Sequence, residues 1–147
     1  MNFRPALTLI ELVIVIGLIS VLAVPSIIGF TNFRGRYALK ASGENLANTL
    51  RTTRVYAREE RHEVAWGLRY TDESSYAMIS GSPESFVVVR TYDLEKPVIF
   101  VDSFSDIWFG QSNGETDRNY RIDLAAPNGA EARVEISKEG VVRYEEE

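Results

Sequence analysis

The sequence predicts an α+β protein in which a long N-terminal hydrophobic helix precedes a small antiparallel β-sheet or sandwich. Two observations lead to this prediction. The segment from Leu12 to Phe33 holds 22 residues without a charged side chain, which is enough for the roughly 20 residues of a membrane-spanning helix. After residue 61 the pattern changes to short runs of alternating apolar and polar residues, separated by turn-forming residues, as is typical of strands.

Glu11 is the only ionisable residue between Leu7 and Phe33. An acidic side chain at the centre of a bilayer costs roughly 2.5–3.5 kcal/mol on insertion scales, so a simple anchor would be more stable with leucine at this position. An ionisable residue inside an apolar segment therefore predicts a functional site with a cationic partner. Cleavage after the small residue Ala6 would release an α-amino group on Leu7, and that group is a candidate partner.

The segment Leu7-Thr8-Leu9-Ile10-Glu11 resembles the N-terminus of type IV pilins and type II secretion pseudopilins. Precursors in this family have a short basic leader, a small residue, then Phe-Thr-Leu-Ile-Glu and an apolar helix. Here Leu7 replaces the phenylalanine and Ala6 replaces the usual glycine. The resemblance implies that prepilin peptidase cleaves between Ala6 and Leu7 and methylates the new amine of Leu7. It also implies that Glu11 pairs with the terminal amine of a neighbouring subunit.

A charge-assisted pair of this kind is strong inside a helix bundle, because neither ion has water as an alternative partner. An unassembled subunit leaves Glu11 unpaired, and a correctly staggered neighbour relieves that cost. Glu11 is therefore predicted to set the axial register during subunit assembly.

Two simpler interpretations of the N-terminus stay open. A secretory signal peptide has an apolar region of ~7–15 residues, and Val21-Leu22-Ala23 would serve as its cleavage site. A generic single-span anchor needs only the apolar run, but neither interpretation explains Glu11. The basic residues Arg34, Arg36 and Lys40 would, by the positive-inside rule, place the following part in the cytoplasm. The pilin resemblance instead implies a single pass through the inner membrane, with the C-terminal part in the periplasm or extracytoplasmic space.

These observations divide the chain into four parts. They are a leader peptide (1–6), a transmembrane or filament-core helix (7–33), the amphipathic half of the same helix (34–61) and a β-rich globular head (62–147). The resemblance implies that this helix corresponds to the stalk of a pilin. Pro25 is expected to kink or locally unwind it, because proline lacks an N–H. Apolar residues spaced three to five apart predict one core-facing stripe: Phe30, Phe33, Tyr37, Ala41, Leu46, Leu50, Thr53 and Ala57.

The head is predicted to contain eight strands, at residues 63–68, 76–79, 86–89, 98–101, 107–109, 120–124, 132–136 and 141–144. The last two flank Ser137-Lys138-Glu139-Gly140, a glycine-containing turn, and so form a hairpin. Together with Trp108-Phe109-Gly110, this hairpin resembles the H-type minor pseudopilins and the T-type minor pilins.

No motif predicts an enzyme, a cofactor or a metal site. The chain has one histidine, His62, and no cysteine, so a transition-metal site would depend on carboxylates. The segment 113–117 has oxygen ligands and a glycine but lacks the spacing of a calcium loop. We therefore expect a structural subunit.

Four arginines, Arg51, Arg54, Arg58 and Arg61, share one side of the predicted helix because they lie three to four residues apart. Some T-type minor pilins take up DNA, so one interpretation is a DNA-contacting ridge. The other is a solvated face that pairs with nearby carboxylates. We favour the second, because residues 63–147 carry 8 basic and 17 acidic side chains, and that net charge of −9 opposes phosphate binding.

The sequence therefore predicts a minor pseudopilin or pilin, a structural subunit of a type II secretion or type IV pilus filament. Its expected partners are other pilins or pseudopilins, prepilin peptidase and, before assembly, the inner membrane. Secreted substrate or DNA is a further partner left open for the head. The alternative functions are a DNA-binding minor pilin for natural transformation and an unrelated single-span membrane protein.

Overall fold

The computed structural model describes residues 8–59 and 64–146, apart from the side chains of residues 22–28, 30 and 31. This part of the chain contains α1 (Leu9–Arg58), β1 (Ala65–Asp72), β2 (Ser75–Gly81), β3 (Phe86–Asp93), β4 (Ile99–Phe100), β5 (Ile107–Phe109), β6 (Tyr120–Ala125), β7 (Glu131–Ile136) and β8 (Val142–Glu146). The predicted α+β class and the eight predicted strands are confirmed. Several strands, β1, β2, β3 and β8 among them, extend beyond their predicted apolar runs.

The chain divides into two compact units, one ending at Arg34 and the other spanning Gly35–Glu147. The helix α1 contributes residues to both units. It continues as helix through Pro25, so the proline does not interrupt it and the expected local unwinding is absent. Losing one N–H removes a single bond from the ladder of α1, and the bonds of the surrounding turns remain. Among the described residues, no helix has both the length and the apolar character needed to cross a membrane.

The strands form two antiparallel four-stranded sheets, with the orders β3-β2-β1-β5 and β4-β6-β7-β8. We call them the first and the second sheet. The predicted terminal hairpin is confirmed, because β7 pairs with β8 and Ile136 lies opposite Val142. Its turn contains Gly140 with a φ of 75°, a left-handed conformation that glycine adopts without strain.

One hydrophobic core joins the second half of α1 to both sheets. Buried side chains alternate with half-buried or exposed ones along β6 and β7, which is the period-two pattern of a sheet with one solvated face. The largest fully buried residues of this core are Leu39, Leu46, Leu50, Leu68, Tyr76, Val98, Ile107, Phe109, Ile122, Leu124 and Ile136.

The predicted apolar stripe of α1 is right in its second half and wrong at Phe33 and Tyr37, while the side chain of Phe30 lies outside the described residues. Leu46, Leu50, Thr53 and Ala57 are fully buried, whereas Phe33 and Tyr37 are each 69% exposed and Ala41 is half-buried. Small residues and one leucine take the buried positions before Leu46, namely Gly35, Ala38, Leu39, Ser42 and Gly43. Between Gly35 and Gly43 the helix lies close to the head, so large aromatic side chains do not fit at these positions.

Among these buried glycines, Gly43 lies closest to the head, against the ring of Tyr144 on β8. A methyl group at position 43 would lie 2.9 Å from Cδ2 of Tyr144 and closer still to Cε2. Because such overlap must be relieved by moving the ring or the strand, Gly43→Ala should lower the free energy of unfolding by about 1–3 kcal/mol. Gly35→Ala is the matched control, since its methyl group would meet the side-chain end of Asn128 at 3.0 Å. Denaturant unfolding of the full chain in detergent measures both, and equal effects would contradict this explanation.

The Tyr144 hydroxyl is buried and has no hydrogen-bond partner within the described part of the chain. Burial, followed by the nearby Glu146 and Glu44 carboxylates, raises the pKa of Tyr144 to about 12. The unfolded chain deprotonates near the ordinary pKa of about 10. The contribution of Tyr144 to the free energy of unfolding should therefore be fully present below about pH 10 and be lost as the pH rises towards about 12.

Tyr144→Phe should make this loss of stability at high pH smaller. Near neutral pH the substitution should be neutral or slightly stabilising, because it removes an unsatisfied buried hydroxyl. Denaturant unfolding of both proteins near pH 8 and near pH 11 measures the difference. The same alkaline loss in both proteins would show that Tyr144 does not contribute to it.

Candidate functional site

Glu11 lies in the first turn of α1, where Thr8 caps the helix. The Glu11 N–H donates to Oγ1 of Thr8 at 3.3 Å, and the Leu12 N–H donates to the Thr8 carbonyl at 3.1 Å. Thr-x-x-Glu is the spacing of a capping box, and a carboxylate is favourable at the positive end of the helix dipole. The same short motif therefore begins the helix and places the carboxylate in its first turn.

The apolar side chains that follow Glu11 are exposed in the single chain. The exposed fraction is 81% for Leu9 and 73% for Val21, and it is still 43% for Val15. Burying a side chain of this size contributes about 1.5–3 kcal/mol, so a helix that is apolar on all sides is usually covered by a bundle or a membrane. The described residues of this chain do not provide that cover.

Two of the predicted site positions, Ala6 and Leu7, lie outside the described residues, as does Arg61 at the end of the arginine ridge. The structure therefore describes Glu11 but not the chain end that was predicted to carry its cationic counterpart. It also describes Arg51, Arg54 and Arg58.

Arg51 and Arg54 donate hydrogen bonds to main-chain carbonyls of the head. Nη2 of Arg51 donates to the Val142 carbonyl at 3.2 Å. Nε of Arg54 donates to the Gly114 carbonyl at 3.2 Å, and its Nη2 donates to the Glu139 carbonyl at 2.7 Å. These contacts join Arg51 and Arg54 to the head, and the DNA-contact interpretation of the ridge stays a prediction.

The β5–β6 loop and the β7–β8 turn meet at the end of α1, in what we call the helix-end junction (residues 51–58, 110–116 and 137–142). The Ser112 N–H donates to the Ala57 carbonyl at 3.3 Å. The Thr116 N–H donates to the Lys138 carbonyl at 2.9 Å, joining the loop to the turn. A side chain at Gly114, where φ is 67°, would overlap the aliphatic stem of Arg58. Glycine therefore allows the arginine stem and the loop to approach each other.

In the segment 113–117, considered above as a weak calcium-loop candidate, the polar groups form hydrogen bonds with one another. Oδ1 of Asn113 accepts from the Glu115 N–H at 3.0 Å, and Nδ2 of Asn113 donates to the Glu115 carboxylate at 3.1 Å. Within residues 8–59 and 64–146, no group of three or more histidine, cysteine, aspartate or glutamate side chains is arranged to hold a metal ion.

The outer face of the second sheet carries an ion-pair cluster centred on Asp123. Partial burial would raise the pKa of Asp123, but hydrogen bonds from Nε of Arg133 and Nε of Arg121, each 2.8 Å long, outweigh it and lower the pKa. Glu135 of β7 lies opposite Arg121 of β6 and Arg143 of β8. Opposite charges thus alternate across this face, as expected for a surface in contact with water.

The chain has a pilin-like fold. Its structure matches the type IV minor pilin FimU of Pseudomonas aeruginosa with a TM-score of 0.62 and 17% sequence identity, covering 77% of this chain and 92% of that one. It also matches the minor pseudopilin EpsH from the type 2 secretion system of Vibrio cholerae, with a TM-score of 0.58 and 13% identity, covering 74% and 96%. No family model matches the sequence, and no curated protein matches it at a significant level. At the level of the fold, the resemblance to minor pilins and minor pseudopilins is confirmed.

The helix-end junction should depend on Arg54. Arg54→Ala leaves two carbonyl groups without their charged donor, so the free energy of unfolding should fall by about 1–3 kcal/mol. Lys40→Ala is the control, because Lys40 is an exposed basic residue on the same helix and should change stability by less than about 0.5 kcal/mol. Denaturant unfolding measures both variants. Equal stability of the Arg54→Ala variant and the parent chain would argue against a packing role.

Proposed function

We propose that this chain is a minor pilin-type structural subunit of a type IV pilus or a type II secretion filament. The observation that carries the proposal is a pilin-like fold combined with an uncovered apolar helical segment whose first turn holds Glu11. The structural similarity to a minor pilin and a minor pseudopilin supports this role. No catalytic step is assigned to the chain.

Maturation would create the charge that Glu11 needs. Prepilin peptidase hydrolyses the peptide bond between Ala6 and Leu7, and the released Leu7 amine is then methylated. A secondary amine of this kind stays protonated near neutral pH, so the mature chain begins with a cation. Glu11 of one subunit pairs with the Leu7 amine of a neighbouring subunit, and this contact fixes their axial offset.

Before assembly, residues 7–33 would sit in the inner membrane, with the head on the extracytoplasmic side. There Glu11 would lack a partner, at a cost of roughly 2.5–3.5 kcal/mol for an acidic group deep in the bilayer. In the filament, the apolar helices of other subunits would cover the side chains between Leu9 and Val21, and a neighbouring amine would neutralise Glu11. Assembly would thus relieve both the exposure of the helix and the isolation of its charge.

Glu11→Gln tests the charge with little change in side-chain size. We expect normal amounts of the variant in the membrane, because the helix remains apolar. We expect incorporation into sheared filaments to fall by about tenfold or more, because a charge-assisted bond contributes about 1.5–3 kcal/mol. Immunoblots of the membrane and filament fractions give the ratio.

Ser20→Ala is the control for this experiment. The Ser20 hydroxyl donates to the Ile16 carbonyl of the same helix at 2.8 Å, so its loss should leave assembly unchanged. Normal incorporation of the Glu11→Gln variant would contradict the assigned role of Glu11.

A further inference from the structure

A polar cavity of about 400 Å³ lies in the unit 35–147, next to the point where α1 enters it. Three elements supply its lining, which consists of Arg36 on α1, Asn128, Gly129 and Ala130 in the β6–β7 turn, and Glu146 at the end of β8. Gly35 allows the turn to approach the helix, since a methyl group at this position would lie 3.0 Å from Nδ2 of Asn128. The cavity is therefore formed by segments that are far apart in the sequence.

Hydrogen bonds within the β6–β7 turn fix one wall of this cavity. The Ala126 N–H donates to the Ala130 carbonyl at 2.9 Å, and the Gly129 N–H donates to the Ala126 carbonyl at 3.0 Å. Oδ1 of Asn128 accepts from the Ala130 N–H at 3.2 Å. Because these groups already have partners inside the turn, the charged side chains of the lining are the main groups available to recognise a ligand.

Arg36 and Glu146 carry opposite charges and are both exposed at this cavity. Within the described residues no ion pair joins them, although other arginines of the head pair directly with aspartates. Two opposite charges that stay apart in one cavity suit a ligand that carries both a cation and an anion. A purely anionic ligand would be repelled by Glu146 and by the net charge of −9 on residues 63–147, and a purely cationic one by Arg36.

The cavity lies where the chain leaves its uncharged segment 12–33. Arg36 is three residues beyond Phe33, or about 5 Å further along the helix. The hydrocarbon core of a bilayer is ~30 Å thick, and the headgroup layers bring the total to ~40–45 Å. With residues 7–33 in the membrane, as the proposed function on which this inference rests requires, Arg36 lies at the level of the headgroups. Tyr37 beside it is 69% exposed, and tyrosine is enriched at this level.

We propose that this cavity binds the headgroup of phosphatidylethanolamine before the subunit assembles. The phosphate accepts hydrogen bonds from the Arg36 guanidinium, whose planar donors match phosphate oxygens. The primary ammonium donates to the Glu146 carboxylate. A volume of about 400 Å³ is within the range of ~300–1,000 Å³ that is usual for small-ligand sites. The contact would hold the head at the membrane surface, and it would be broken when the helix is withdrawn into a filament.

The same chemistry ranks the common phospholipid headgroups. Phosphatidylglycerol has a phosphate for Arg36 but no cation for Glu146. Phosphatidylcholine has a cation, but its quaternary ammonium has no N–H to donate. Since each lacks one charge-assisted hydrogen bond, phosphatidylethanolamine should be retained about tenfold more than either.

Native mass spectrometry measures this preference. The full chain is released from nanodiscs that contain equal amounts of the three phospholipids, and the lipids that remain bound are identified by mass. Glu146→Gln should abolish the preference over phosphatidylglycerol, because the ammonium loses its charged acceptor. Arg36→Gln should instead reduce the retention of both phospholipids by about tenfold, because each presents a phosphate.

Lys40→Gln and Glu145→Gln are the matched controls. They make the same two charge changes at exposed positions outside the cavity lining, so the preference should equal that of the parent chain. The side chains of Arg36 and Glu146 are exposed as well, so all four variants should fold, and a thermal unfolding curve checks this. The Arg36 and Glu146 variants each test the cavity on their own.

A soluble headgroup distinguishes the lipid from a free phosphate ester. Glycerophosphoethanolamine, added to the chain in nanodiscs of phosphatidylcholine alone, should not be retained, because it lacks the high local concentration that a membrane gives to a lipid headgroup. Retention equal to that of phosphatidylethanolamine would overturn the assignment to a lipid. Equal retention of all three phospholipids, a preference for phosphatidylglycerol, or the same losses in the two control variants would overturn the site itself.

Failure of this inference can be told apart from failure of the proposed function. Glu11→Gln leaves residues 35–147 unchanged, so its lipid preference should equal that of the parent chain whether or not it enters filaments. A chain that enters nanodiscs but retains no phosphatidylethanolamine would overturn the inference alone. A chain that does not enter nanodiscs would contradict the membrane placement of residues 7–33, and the inference with it.

Discussion

The N-terminal segment of α1 is apolar on every side and carries one carboxylate. Such a segment is stable only if two separate requirements are met, and the described part of this chain meets neither. Its apolar side chains between Leu9 and Val21 need a covering surface, and Glu11 needs a cation. Lipid would meet the first need but not the second. A bundle of identical or related helices with charged chain ends would meet both. Under the proposed function, this constraint would account for a carboxylate at a position where a simple membrane anchor would have leucine.

The second half of α1 is stabilised in a different way. It packs into the core of the head through Leu39, Leu46 and Leu50, and near its end arginine donors reach main-chain carbonyls of the loop and the terminal turn. Glycines at 43, 114 and 140 allow these close approaches. Because the helix-end junction joins segments far apart in the sequence, the end of α1 and the terminal hairpin should be stable or unstable together.

The parts of the fold encoded locally were predictable from the sequence. The alternating pattern of β7 identifies a strand with one buried face, and the spacing of Thr8 and Glu11 marks the start of the helix. The first half of the helical stripe was not predictable by spacing, because Phe33 and Tyr37 lie on an exposed face while Gly35 and Gly43, which carry no hydrophobic signal, are buried. Contacts that depend on tertiary structure were also hidden. Arg54 meets Glu139 across 85 residues, and the valines of β3 resemble a buried strand until the strand order places them at an edge.

Mass spectrometry of the mature N-terminus, on protein recovered from assembled filaments, tests most directly whether a chain-end cation accompanies Glu11. The account predicts a first residue of Leu7 bearing a single methyl group on its amine. A functional protein that still begins with Met1 would contradict it, because no amine would then be released near Glu11. A protein that begins at Val24 would contradict it as well, since Glu11 would have been removed with a signal peptide.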